Sequence, residues 1–417
     1  MLFLLRTGER AGLRTVRRRH VLIAMPLSKI YLFEFPSFLK QKLFFINIKN
    51  IFAFFSVCNG YYMKKRIFPA VLITVTAVCG QLACNGTWQD DDAPVVSLSG
   101  TVVNAPPDYI EGLLCMVYGD TLIQNNGHID SLLTLFKFVD DSLIVVDNFG
   151  SYGSGPSEMI SPVATKTPAG HLIIMDVPTG TNIYDIPPGA EHNSGRWSRV
   201  SMDSVMMMPS KFVAVSDTVI MIAAAPFGRE TSIFSLIDFR NGNWQPAEYW
   251  PEDGYNGPAT PKSYMYSVNS NLCKGPAGRY FYASGCRRYA FIFRLEGNMV
   301  EDVNIIIDDN ALYSASSNGM MSTIPNDGHR IKTTANSSHI YVLHQRKKED
   351  GSISDNLVNT RGGNEIDVYD WDGNLQVRYI LDHQGYFPYV NSVDKDLYVM
   401  GVNPDSGAYE WIHYRLE

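Results

Sequence analysis

Trp250, Tyr255, Tyr264 and Tyr266 crowd into one polar stretch that also holds Pro and Gly, and Arg229 and the pair Arg287-Arg288 lie on neighbouring connections. Flat rings suit stacking on sugar or peptide, and a few Arg among many carboxylates would fix an anionic group. These residues are the candidate recognition set. The same rings could equally cover the protein's own flank. Glu158 joins the set from the loop Gly153-Ser-Gly-Pro-Ser-Glu158, where two glycines permit positive φ, Pro156 stiffens the bend and the carboxylate closes the turn. A connecting turn is the competing use of that loop, since Gly and Pro belong in turns whatever the function.

Catalytic constellations are thin. The sequence contains no G-x-S-x-G elbow, no H-E-x-x-H and no P-loop. His339 and His344 are five apart on a strand-like run, so their side chains point to opposite faces and cannot share a metal. Asp147, Asp176 and Asp238 end comparable strands, but none has the spacing of a calcium loop, and turn formation is the expected role. No cofactor is expected on this evidence, and a calcium ion would have to be assembled from separate loops at a common face. Met206-Met207-Met208 reads as core filler.

The elements that must position these residues are strands. From about residue 95 the apolar runs shorten to a few residues, β-branched and aromatic side chains dominate, and Gly, Pro, Asn and Asp punctuate them. A strand introduced by a polar turn recurs six times, beginning at Asp141, Gly170, Asp217, Gly278, Ser338 and Asp396, with intervals of 29, 47, 61, 60 and 58. Second strands follow at Asn182, Ile233, Ala290, Ile366 and Glu410. Such a series suits the four-stranded blades of a β-propeller, because a lone blade cannot bury both faces and a ring of them can. The expectation is an all-β, six-bladed β-propeller over 95–417, with seven blades as second choice and paired sandwiches as the runner-up. Val95 to Val103 is expected to pair beside Trp411 to Leu416 and close the ring. The best helical candidate is Ala311 to Met321.

The N-terminal segment carries an address. Met63-Lys-Lys-Arg66, the apolar run Ile67 to Val78 and Gln81-Leu-Ala-Cys84 have the layout of an export signal over 63–83 ending in a lipid-attachment cysteine. Cys84 is preferred to Cys79, which follows the branched Val78. Residues 1–62 then read as a mistranslated upstream region or an extension, and 84–94, with Asp90-Asp-Asp92, as an acidic tether. Beyond residue 83 the chain carries 22 basic against 40 acidic residues, a net of −18, which disfavours nucleic acid as a partner. Of the later cysteines, Cys115, Cys273 and Cys286 form no C-x-x-C pair.

The signal, the six recurrences, the Gly153 to Glu158 loop and the late strand Asn364 to Asn374 together resemble the TolB-like six-bladed β-propeller lipoproteins of Gram-negative bacteria. Ser157 and Met159 replace the usual final Gly and following Phe of the loop motif. The resemblance implies a lipid-anchored protein of the outer membrane, with the surface face slightly favoured over the periplasmic one by the acidic run. It supplies no catalytic residues. The resulting expectation is a binding or scaffolding module for a glycan, peptide or envelope protein, held to the membrane by its lipid anchor. The alternative is a propeller hydrolase or lyase with a site at the central channel, served by a cation.

Overall fold

The computed structural model describes residues 19–23, 31–35 and 93–416, apart from 107–112, 119–120, 127–130, 156, 177–181, 203–210, 227, 287, 309–312, 316–321, 324–329, 346–361 and 404. For 19–23, 31–35, 113–118 and 322–323 only the backbone is described. The chain divides into two compact units, Met1–Trp88 and Gln89–Glu417. In the first, Arg19–Ile23 and Tyr31–Phe35 form an antiparallel hairpin. The export signal and Cys84 lie outside the described residues.

The second unit is a β-propeller built from antiparallel sheets laid down in chain order. Sheet one holds Leu113–Tyr118, Thr121–Asn125, Leu133–Val139 and Ser142–Phe149; sheet two holds Pro162–Lys166, Leu172–Asp176, Asn182–Ile186 and Ser198–Ser201. Sheet three runs Phe212–Ala214, Val219–Ile222, Phe234–Asp238 and Asn243–Ala247, and sheet four Asn271–Lys274, Arg279–Ala283, Tyr289–Glu296 and Met299–Asp308. Arg330–Ala335, His339–Gln345 and Gly363–Asp370 begin sheet five. Its outer edge is the first part of the long strand Leu375–Val390, which passes at Gly385 into the next set of partners. That sixth set is completed by Asp396–Val402, Tyr409–Arg415 and, from the other end of the unit, Thr101–Val102.

Each strand pair alternates its apolar side chains to both faces, so every sheet has two greasy sides to cover. Neighbouring sheets cover them. Leu133 and Phe149 of sheet one pack with Ile174 and Tyr184 of sheet two, and Ile173 and Met175 with Ile220 and Ile222 of sheet three. Phe234 meets Tyr282, Phe291 and Phe293, Phe281 and Ile292 meet Ile340 and Val342, and Leu343 and Ile366 meet Leu397 and Val399. The last core brings Tyr389, Tyr398, Met400 and Trp411 back onto Leu122, Phe136 and Leu143 of sheet one. The ring is therefore closed. At this seam Thr101 and Val102 pair with His413 and Ile412, and Val103 donates its N–H to the Trp411 carbonyl at 2.8 Å. Val95–Leu98 runs parallel to Arg378–Leu381 instead, so the expected closing strand is shared between two neighbours.

Two expectations need correction. Five of the six recurrent strands are the second strands of their sheets, but the one beginning at Asp141 is the outermost strand of sheet one. The equivalent of the others is Thr121–Asn125, preceded by the same polar entry, Gly119-Asp120. This slip accounts for the short first interval of 29. Nor is the segment from Ala311 helical where it is described: Ser314–Ala315 pairs with Ser322–Thr323 in a small ladder. The described α-helix is Ala259–Ser267, with Pro258 and Pro261 at its start, where a missing N–H costs no intrahelical bond.

Candidate site in the central channel

The first strands of successive sheets touch in series, from Leu113–Tyr118 through Pro162–Lys166, Phe212–Ala214, Asn271–Lys274 and Arg330–Ala335 to the long strand. A half-open cavity of about 480 Å³ lies among the first strands of sheets two to five and the second part of the long strand. Small side chains such as Ala164, Ala214 and Thr333 leave room where the strands converge, and Phe387 and Pro388 form an apolar wall. The polar equipment is cationic: Lys166 of sheet two, Lys211 just before sheet three and Lys274 of sheet four line the cavity, and no Asp or Glu does so among the described residues.

Lys274 is held by neutral groups. Lys274 Nζ donates to the carbonyls of Ala214 at 2.8 Å and Val215 at 3.1 Å, which orients an ammonium without cancelling its charge. Burial lowers its pKa, against a weaker opposing pull from Asp217. Lys332 Nζ sits 5.2 Å from the centroid of the Phe387 ring on the cavity wall. Burial, then repulsion from Lys211 and Arg330, brings its pKa down to about 8, with Cys286 acting the other way. Lys211 is lowered as well, mainly by burial. Burial pushes the Cys273 thiol up despite the neighbouring Lys211, so this sulfur in the cavity lining is not an activated nucleophile.

A second polar cluster lies on the face of sheet five that meets sheet four. His344 Nε2 is 2.9 Å from Asp367 Oδ2, and Arg378 donates to both Asp367 oxygens at 2.6 and 3.2 Å while standing 3.4 Å from Glu365. Arg288 approaches His344 Nδ1 at 3.4 Å. One ligand atom from each of His344, Glu365 and Asp367 falls within 4.8 Å of the others, the spacing of a metal site. The guanidinium of Arg378 already supplies the positive charge there, so the donor set does not fit a cation. It fits an interior ion network.

The residues singled out from sequence separate into different places. Glu158 accepts from the Gly155 N–H at 2.8 Å, and a Cβ on Gly153 would strike its carboxylate, so the turn is folded around this side chain. The adjoining Met159 is fully buried in the core between sheets one and two. Tyr266 is fully buried and donates to Asp253, Tyr255 stacks on Tyr313 at 4.6 Å, and Lys262 lies over the Trp250 ring at 5.1 Å. Tyr264 is half-buried near Cys286. Trp250, Tyr255, Tyr266 and Tyr313 form a single cap packed on sheets three and four. Arg229 is exposed on a turn whose next residue, Glu230, accepts from Thr260 of the helix carrying Tyr264 and Tyr266; Arg288 joins the His344 network, and Arg287 lies outside the described residues. Asp176 and Asp238 end their strands and serve turns, as expected, whereas Asp147 lies within Ser142–Phe149 and contacts His192.

Sequence reading passed over the lysines, although a signal existed. Lys166 and Lys274 stand four residues before the recurrent turns at Gly170 and Gly278, and Lys211 and Lys332 six before those at Asp217 and Ser338. The recurrence places a lysine on or just before the first strand in four consecutive repeats, although the register turns Lys166 and Lys274 toward the preceding sheet and Lys332 toward the following one.

No family model matches this chain, and no curated protein matches it. Among solved structures, a gluconolactonase from Xanthomonas campestris is similar with a TM-score of 0.39 and 10% identity over 76% of this chain and 97% of that one. An oligogalacturonate lyase in complex with manganese gives 0.35 and 10% over 72% and 74%.

Proposed function

We propose that this chain is an exported six-bladed propeller, tethered to the outer membrane through an acylated Cys84, whose central channel binds a small anion. The observation that carries the reading is the cavity wall: Lys166, Lys211 and Lys274 with no described carboxylate, inside a chain of net charge −7. Burial disfavours the charged forms of Lys211 and Lys274, and an anion bound beside them would offset that cost. Charge-assisted hydrogen bonds in such a setting contribute roughly 1.5–3 kcal/mol each. A binding module is favoured over a cation-assisted hydrolase because the one cluster of metal-ligand spacing among the described residues is neutralised by Arg378.

Calorimetric titration of the soluble form beginning at Asn85 with citrate, phosphate and sulfate tests this. At least one of them should bind, and binding should weaken as sodium chloride is added. Lys211→Met and Lys274→Met should each weaken it about tenfold, roughly 1.4 kcal/mol. No heat with any of the three anions, or equal affinity in both variants, would overturn the reading.

A further inference from the structure

We infer that a cleft at the ring seam is a second binding site, and that it takes the terminal residue of a neutral glycan. It shares no lining residue with the central cavity, so it is independent of the anion-binding reading. The cleft follows from how the chain enters the ring. Val95–Leu98 lies along Arg378–Leu381 at the outer edge of sheet five, whereas Thr101–Val102 pairs with His413 and Ile412 at the outer edge of sheet six. The crossing between them is pinned by Asp382, which accepts from Ser99 Oγ at 2.8 Å and from the Gly100 N–H at 3.1 Å. Residues 95–102 therefore form a strap from one sheet to the next. A half-open cavity of about 730 Å³ lies beside it, within the roughly 300–1,000 Å³ of small-ligand sites.

The groups lining this space suit a partner made of hydroxyls. Asp141 and Arg415 bring one carboxylate and one guanidinium, and Ser97, Thr101 and Tyr379 bring hydroxyls. The two charges offset one another, so neither an anion nor a cation is favoured, while acceptor and donor both suit sugar hydroxyls. Both are free to bind. Asp141 is 49% exposed and uses Oδ1 on His413 at 2.6 Å, and its Oδ2 accepts nothing among the described residues. Arg415 is exposed and makes no hydrogen bond or ion pair with a described residue. His413 is a positioning residue: its other nitrogen is 2.8 Å from Asp396 and its ring stacks on Tyr398 at 4.5 Å, which fixes the carboxylate it holds. Val96, Leu98 and Val377 give the cleft an apolar side for the C–H face of a sugar ring. Because sheets one, five and six and the strap all contribute, the site exists only in the closed ring. A ligand there binds the folded state alone and stabilises it by mass action.

Calorimetric titration and thermal unfolding of the chain from Asn85, which holds the whole closed ring, test this with galactose, mannose, glucose and N-acetylglucosamine. At least one sugar should bind saturably in the millimolar range and raise the unfolding midpoint, and added sodium chloride should change its affinity less than about twofold. Arg415→Ala, at an exposed side chain with no described partner, should weaken that sugar about tenfold and leave the midpoint of the empty protein in place. Lys274→Met, in the central cavity, should leave sugar binding unchanged. No binding by any of the four sugars would overturn the inference, as would wild-type affinity in Arg415→Ala. Loss of sugar binding in Lys274→Met would also overturn it, by moving the sugar to the central cavity. So would binding of glycine where no sugar binds, since a zwitterion would then be what matches the two charges. Citrate binding should be the same in Arg415→Ala as in the wild type, so failure at either site is seen separately.

Discussion

Asp367 is enclosed on the face of sheet five that meets sheet four, its side chain only 3% exposed. Burial by itself would raise its pKa, but hydrogen bonds from His344 and Arg378 outweigh it and hold the carboxyl at about 2. The folded value lies below the ordinary value of 3.8, so the network's contribution is fully present above about pH 4. It falls away as pH drops from there toward 2. The shift corresponds to about 2 kcal/mol. Urea unfolding from pH 6 down to pH 2 should show the wild type losing that amount more than Asp367→Asn, in which the titrating group is gone. Equal pH slopes in the two proteins would show that the network does not couple protonation to folding. The Arg378 guanidinium is partly exposed, and part of its attraction to the pair is screened by solvent.

The insertion between sheets three and four is held by one carboxylate. Asp253 accepts from the hydroxyls of Tyr313 at 2.7 Å and Tyr266 at 2.8 Å, from Lys262 Nζ at 3.0 Å and from the Tyr255 N–H at 3.1 Å. Its side chain and that of Lys262 are 2% and 6% exposed, so removing one partner strands a charge in the interior. Asp253→Ala should therefore cost about 3–5 kcal/mol in denaturant unfolding. Asp253→Asn, which keeps the acceptor oxygen, should cost less. A loss below about 1 kcal/mol in the alanine variant would mean the cap is stapled by its rings alone. Much of this element was legible in outline and not in detail. The second and third strands of each sheet announce themselves by runs such as Leu172-Ile-Ile-Met-Asp176, apolar on both faces and bounded by turn residues. The first strands do not: Phe212–Ala214 and Asn271–Lys274 are three and four residues long, too short for a period to show. Lys274 ends one of those strands and Lys211 immediately precedes the other. Likewise, Asp253 meets Tyr313 across 60 positions of chain, and His344 meets Asp367 only once the register of sheet five is set. Neither pairing is encoded in local spacing.

At the scale of the whole ring, stability depends on a seam made from the two ends of the propeller unit. Phe138 of sheet one stacks on Tyr398 at 3.8 Å, with the Trp411 ring edge-on at 5.2 Å, and Val103 and Tyr389 complete the same core. His413 is bracketed by Asp141 of sheet one at 2.6 Å and Asp396 of its own sheet at 2.8 Å. Asn104 continues the bridge by donating to the Asp141 carbonyl and accepting from the Leu143 N–H. The strand Tyr409–Arg415 therefore does two jobs, pairing with both Asp396–Val402 and Thr101–Val102 while filling the seam core. Its loss would uncover an apolar face on each side and leave both neighbouring strands with unpaired edges. Truncation after Glu410 should accordingly lower stability across the ring, so that hydrogen exchange in sheet three, on the far side of the chain order, accelerates together with exchange in sheets one and six. Trp411→Ala, which keeps the strand and removes only its largest core side chain, should cost about 3–5 kcal/mol while leaving a single cooperative transition. Faster exchange confined to sheets one and six in the truncated chain would show that the blades hold one another pairwise and that closure adds nothing to the rest.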